Sequence, residues 1–255
     1  MDYLQTVLQK YQARSIINYP QTADIAELKL FLTSISGTCY SATLDSGSRA
    51  KNTAINISSD VDYLVSLTSN CSNSLEEIFN HFCKEISNKY LGQTRIQNVS
   101  VRIKFANLEV DITPAKMITG YTNYHYMWLS KDRTIKQTNI QIHINDVKNS
   151  GRTDEIKLTK IWRELNNLEF TSIYIEYLII EHILKYKNKG DLVKNFWYIL
   201  NELAKDVDNP LSKKIIDPAN TNNILSDLLT NLEKSKIIIA AKLSITKTDW
   251  KEIIY

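Results

Sequence analysis

Two aspartates, Asp60 and Asp62, stand two residues apart at the start of a β-prone run, and a third, Asp111, sits in another such run, LEVDITPA. Side chains alternate between the faces of an extended strand, so Asp60 and Asp62 share one face while Val61 takes the other. In the second run Leu108, Val110 and Ile112 alternate with Glu109, Asp111 and Thr113, which gives one apolar face and one carboxylate face. Carboxylates held this close repel one another unless a cation lies among them. If the two strands are neighbours, Asp60, Asp62 and Asp111 form a hard-oxygen site of the kind Mg2+ or Mn2+ occupies together with phosphate oxygens and water. The chemistry expected there is two-metal in-line displacement on a phosphoryl group. One metal activates the attacking hydroxyl, the other steadies the triphosphate leaving group, and Asp111 serves as general base. By itself D-x-D is also a common solvated acidic turn.

Upstream, Gly47-Ser48 ends a strand-like run and opens what reads as a short helix. Backbone N–H groups and the Ser48 hydroxyl at such a turn can face an anion, which makes Gly47 and Ser48 candidates for holding phosphate. The dipeptide alone is an ordinary turn signal.

The elements that must position these groups follow from periodicity. Leu4, Val7, Leu8 and Tyr11 have helical spacing within residues 2–17, and Ala23 to Ile35 repeats the pattern after a turn at Tyr19-Pro20-Gln21. Strands are expected at Tyr40 to Leu44, Val61 to Leu67, Val99 to Phe105 and Leu108 to Thr113, with an amphipathic helix from about Ser74 to Tyr90. Beyond residue 150 the strand signals fade. Helices are expected at Asp154 to Leu168, Ser172 to Tyr186, Asp191 to Lys205, Asn222 to Leu243 and Lys247 to Ile254. Ser150-Gly151 is the expected boundary between a catalytic domain (1–150) and a helical nucleotide-binding domain (151–255). Asp217-Pro218 marks a break within the latter.

With 255 residues, 43% hydrophobic and 23% charged, the chain can bury its own core, and its composition suggests neither disorder nor a membrane class. There is no apolar run of transmembrane length and no secretory signal, so a cytoplasmic protein is expected. A net charge of +3 is too modest to demand a long nucleic acid as partner. The lysine clusters Lys157, Lys160, Arg163 and Lys185, Lys187, Lys189 read first as solvated helix faces. Cys39, Cys71 and Cys83 are odd in number and lack C-x-x-C spacing, so neither a zinc site nor a disulfide framework is expected. The four histidines show no ligand spacing. Tyr121 to Trp128, Tyr174 and Tyr177 are candidates for stacking a base, with core packing as the alternative.

Gly-Ser, a D-x-D strand about a dozen residues on, and a single Asp on a later strand together resemble the DNA polymerase β-like nucleotidyltransferase superfamily. Within it the chain is similar to the branch holding archaeal CCA-adding enzymes, oligoadenylate synthases and the bacterial cyclic GMP-AMP synthase-like CD-NTases. The resemblance spans roughly residues 38–225 and implies an α+β fold: a small mixed sheet with helices, then an α-helical domain. It implies that Lys160 in EIKLTKIWREL reaches the triphosphate, with Lys157 as a near rival, and that Ser172 in TSIYIEYLII contacts phosphate. IIDPANTNN resembles an Asp-Pro-Ala segment of the same branch, with no role assigned. The activity it implies is synthesis of a cyclic di- or oligonucleotide signal from nucleoside triphosphates, of the anti-phage CBASS type, with no obligate nucleic acid. The alternatives are transfer to an RNA 3′ end or a protein hydroxyl, as in CCA-adding or toxin-like enzymes, and a non-catalytic nucleotide-binding protein.

Overall fold

In chain order the elements are α1 (Tyr3–Lys10), α2 (Thr22–Ser36), β1 (Tyr40–Ser46), α3 (Gly47–Ala50), β2 (Val61–Leu67), α4 (Leu75–Lys89), β3 (Thr94–Ile96), β4 (Val101–Phe105), β5 (Leu108–Met117), β6 (His125–Leu129) and β7 (Thr134–Thr138). There follow α5 (Ile140–Asn149), α6 (Thr153–Leu165), α7 (Ser172–Tyr177), α8 (Leu192–Leu203), a small hairpin of β8 (Ile216–Asp217) and β9 (Asn220–Ile224), and α9 (Asn231–Ile245). The structure, a computed structural model, describes residues 2–18, 21–58 and 60–255. It is α+β, as expected, with a mixed sheet first and a mainly helical region after it.

The sheet is organised on β5. β2 runs parallel to it on one side, with β1 antiparallel beyond, while β4 and then β3 pair antiparallel on the other side. The end of β5 also pairs with β6, which pairs with β7. Alternation puts Val61, Tyr63, Val110 and Ile112 on one face, where they pack with residues of α2 and α4 such as Leu28 and Phe82. α4 begins where local chemistry dictates. Ser74 accepts from the Glu77 N–H at 3.2 Å while the Glu77 carboxylate accepts from Ser74 N–H at 2.8 Å, a capping box.

The chain divides into two compact units, one of Arg14–Lys51 and Asp60–Ile144, the other of Met1–Ala13, Asn52–Ser59 and Asn145–Tyr255. In the second unit α1 is tied to the far end of the chain, since Tyr3 Oη donates to Ile254 O at 3.0 Å and Tyr11 Oη donates to Tyr255 O. Residues 52–59 join it through the Asn56 N–H donated to Tyr11 O at 2.9 Å. Its core gathers Leu4, Ile161, Trp162, Phe196 and Ile237, and Trp162 Nε1 donates to Ser244 Oγ at 2.9 Å. No helix among the described residues is long and apolar enough to cross a membrane.

Several expected elements are corrected. The helix expected over Asn222 to Leu243 starts only at Asn231, capped by Thr230 and Glu233. Ahead of it Asp217 accepts from Ala219 N–H at 2.9 Å and from Asn223 Nδ2 at 2.8 Å, local bonds that favour a hairpin over a helix. Residues 247–254 contain only a 3₁₀ turn at Trp250–Glu252. The helix begun at Ser172 continues from Leu178 to Ile183 as a π-helix. β6 and β7 went unexpected because their stretch is aromatic and polar rather than alternating. Of the expected turn at residues 19–21, Tyr19 and Pro20 lie outside the described residues. Cys39 and Cys71, expected to be unpaired, form a disulfide with Cα atoms 5.3 Å apart. The pairing of Tyr40 with Leu67 brings the start of β1 to the end of β2, and so closes a sequence separation of 32 residues.

Candidate active site

The face of the sheet opposite the apolar core carries a row of cross-strand neighbours. Ser46 on β1 pairs with Asp62 on β2, Asp62 with Asp111 on β5, and Asp111 with Arg102 on β4. The register of the apolar face sets this row. With Val61 opposite Val110 and Tyr63 opposite Ile112, the carboxylates between them must also be opposite, and a slip of one residue would bury both. Asp60 immediately precedes β2 and is joined to the row by the Arg102 guanidinium.

Gly47 opens α3, a single turn, with φ +63°. A β-carbon built on it would lie 1.8 Å from Asp62 Oδ2 and 2.4 Å from Asp62 Cγ. Glycine is therefore required twice, by a left-handed backbone and by the carboxylate packed against it. Ser48 follows in the same turn.

Arg102 is the centre of the polar network. Its Nε donates to Asp111 Oδ1 at 2.8 Å and its Nη2 to Asp111 Oδ2 at 2.7 Å, a bidentate pair. The same Nη2 reaches Asp60 Oδ2 at 2.5 Å, and Nη1 reaches Glu109 Oε2 at 2.5 Å. Gln97 Nε2 adds a bond to Asp111 Oδ1 at 3.2 Å. The hydrogen bonds to Asp111, above all, hold the guanidinium well above its ordinary pKa. Burial raises the Asp60 carboxyl, which Arg102 opposes and Asp111 and Glu109 reinforce. Asp62 is pushed up to about 6, by burial first and then by the charges of Asp111 and Asp60.

By chemistry the donors suit a divalent cation, since carboxylates are acceptor-only when ionised and offer hard oxygens, and Asp62, raised by burial first, is raised further by the charges of Asp111 and Asp60. Among the described residues no group of three or more His, Cys, Asp or Glu side chains is arranged to hold a metal ion. The guanidinium that bridges Asp60 and Asp111 stands among the donors.

Gly47, Ser48, Asp60, Asp62 and Asp111 thus lie together in the sheet unit. Lys160 and Ser172 belong to the helical unit. Lys160 is 1% exposed and its Nζ donates to Thr53 O at 2.8 Å; the Thr53 hydroxyl in turn donates to the buried Glu176 at 3.0 Å. Ser172 is half-buried at the start of α7. Lys157 pairs with Asp154 at 2.8 Å. Tyr174 and Tyr177, candidates for stacking, are core residues, 0% and 3% exposed, and Tyr177 Oη donates to Asp146 at 2.9 Å. His125 and His81 are bonded to Ser66 Oγ and Ile35 O. Arg102 and Gln97 were missed at the level of sequence, and Glu109 was placed on the carboxylate face without a role. For Arg102 the signal was weak: in VRIKF it alternates with Val101 and Ile103, which gives its face but no partner.

No protein-family model and no curated protein matches this sequence. Solved structures do match the fold. The CdnC protein of E. coli MS115-1, in a complex with HORMA-deltaN, is similar with a TM-score of 0.70 at 21% identity, over 94% of this chain and 88% of that one. The Bradyrhizobium diazoefficiens CD-NTase CdnG, solved with GTP, gives 0.72 at 10% identity, over 100% and 96%. A cytoplasmic RNA terminal U-transferase gives 0.65 at 11% identity, over 97% and 94%. The fold of this chain is the one these solved structures share.

Proposed function

We propose that the protein is a metal-dependent nucleotidyltransferase that moves a nucleoside monophosphate from a nucleoside triphosphate to a hydroxyl, with release of pyrophosphate. The acceptor hydroxyl belongs to a second nucleotide, so that the product is a cyclic di- or oligonucleotide, a signal of the anti-phage CBASS type. The observation that carries this reading is the cross-strand pairing of Asp62 with Asp111, with Asp60 tied to it and Gly47 packed against it.

Asp60, Asp62 and Asp111 would hold Mg2+ or Mn2+, which when bound neutralises triphosphate charge and makes the attacking hydroxyl more acidic. Asp111, oriented by Arg102 and Gln97, accepts the proton of that hydroxyl. Gly47 and Ser48 offer the triphosphate backbone N–H groups and a hydroxyl. Ser172 is kept as a phosphate contact from the helical half, under the working division of residues 1–150 for catalysis and 151–255 for nucleotide binding. The expected role of Lys160 as a triphosphate ligand gives way to that of an internal cation, since its ammonium is buried and bonded. The partners are nucleoside triphosphates, with neither nucleic acid nor membrane required, and the setting is cytoplasmic. Disulfides are rare in that compartment, which makes the state of Cys39 and Cys71 in cells worth measuring.

The test is incubation of the purified protein with all four labelled triphosphates and Mg2+ or Mn2+, followed by phosphatase. A phosphatase-resistant cyclic product is expected, and Asp60→Ala or Asp62→Ala should abolish it. The likeness to an RNA terminal U-transferase favours a second reading, transfer to an RNA 3′ end; label appearing on added RNA or on protein would replace the first. Nucleotide binding without turnover under every condition would leave a non-catalytic binding protein.

A further inference from the structure

Arg102 has a place in this site that no carboxylate role explains. Both oxygens of Asp111 accept from it, and its Nη2 is shared between Asp111 Oδ2 at 2.7 Å and Asp60 Oδ2 at 2.5 Å. The direction in which Asp60 and Asp111 present their lone pairs to each other is therefore taken by an N–H group. A divalent ion bridging the two Oδ2 atoms, at about 2.0 to 2.1 Å from each for Mg2+, would stand where Nη2 stands. Two cations cannot occupy that one position. The Nε bond to Asp111 and the Nη1 bond to Glu109 use other atoms of the guanidinium and can persist when the Nη2 arm lets go.

We propose that Arg102 is a built-in competitor for the metal: its Nη2 arm holds Asp60 against Asp111 and must yield for a divalent ion to bind, while Nε keeps Asp111 in place. The inference rests on the reading of Asp60, Asp62 and Asp111 as metal ligands, and it makes Arg102 a positioning residue. Ion entry is an exchange of one cation for another. Glu109, which has no counterpart in the three-aspartate pattern, is the anchor that keeps the displaced guanidinium beside the site.

The experiment is titration of the full chain with Mn2+ and no nucleotide, following free Mn2+ by electron paramagnetic resonance and the Mn2+-dependent rise in Tm. Arg102→Gln should bind Mn2+ at least about tenfold more tightly than the unmodified chain, and its Tm, lowered without metal, should rise more on adding it. Arg102→Lys, which keeps the charge without the fork, should fall between them. Equal or weaker Mn2+ binding by a folded Arg102→Gln overturns the proposal. If that variant does not fold, the unmodified 15N-labelled chain decides. Mg2+ should shift the Arg102 guanidinium resonances, assigned by comparison with Arg102→Lys, and unmoved resonances at saturation overturn it. Asp62→Asn and Asp111→Asn separate the two claims. If they bind Mn2+ as well as the unmodified chain does, the metal-site reading fails along with the inference; if they lose it while Arg102→Gln is unchanged, only the inference fails.

Discussion

The carboxylate of Asp62 occupies the space that a side chain on Gly47 would need, with Oδ2 only 1.8 Å from the ideal β-carbon position. Gly47→Ala must also keep φ at +63° with a β-carbon attached. The strained backbone and the overpacking together should cost about 2 to 4 kcal/mol. Because relief comes by moving Asp62, the transfer rate should fall by about 100-fold or more. Urea denaturation and initial rates measure the two effects. A rate within about threefold of the unmodified protein would show that this packing does not position Asp62.

Asp62 titrates near 6 in the folded protein against an ordinary 3.8, so the folded state holds the proton more tightly than the unfolded state. Below pH 4 the group is neutral in both states. As pH rises from about 4 to 6 the unfolded chain ionises first, and stability falls, levelling off above the folded pKa. After discounting for partial exposure, the loss is about 1 to 2 kcal/mol. Asp62→Asn should therefore be more stable than the unmodified protein in metal-free buffer at pH 7, by an amount that vanishes toward pH 4. Thermal melts of both proteins across that range provide the check. A difference that does not grow with pH would mean that Asp62 is not held above its usual range.

Lys160 and Lys157, one turn apart on α6, should differ in what their loss costs. Lys160→Met removes a buried ammonium from Thr53 O and leaves Glu176 buried nearby, which should cost about 3 to 5 kcal/mol. Lys157→Ala removes a pair with the partly exposed Asp154 and should cost under about 1 kcal/mol. Chemical denaturation separates them. A Lys160 variant of normal stability that binds triphosphate poorly would restore the role expected from the sequence.

Mass spectrometry of unreduced protein should find Cys39 joined to Cys71, and reduction should lower stability by about 3 to 4 kcal/mol for a closed loop of 32 residues. Cys83 is buried and its thiol is pushed up to about 11, so iodoacetamide should label it only on unfolding. Rapid labelling of Cys83 in the native protein would contradict its burial.

Period-two alternation is a property of a few consecutive residues, so the face on which Asp60, Asp62 and Asp111 lie could be determined from the sequence by itself. The same holds for the Gly47-Ser48 turn, the helix from about Ser74, and a sheet that gives way to helices after residue 150. The register that sets Asp62 against Asp111 was decided only in the tertiary structure, because it depends on how two distant apolar faces share one core. Arg102 belongs to the same class: alternation assigned its face, but its bonds to Asp60, Glu109 and Asp111 exist only once β4 and β5 pair. The burial of Lys160, an amphipathic side chain on a helix that looked solvated, came from the packing of residues 52–59 and α7 around it. Cys39 and Cys71 met because antiparallel pairing folds β2 back along β1. In each case the residue type was visible in the chain, and its neighbour was fixed by packing between segments tens of residues apart.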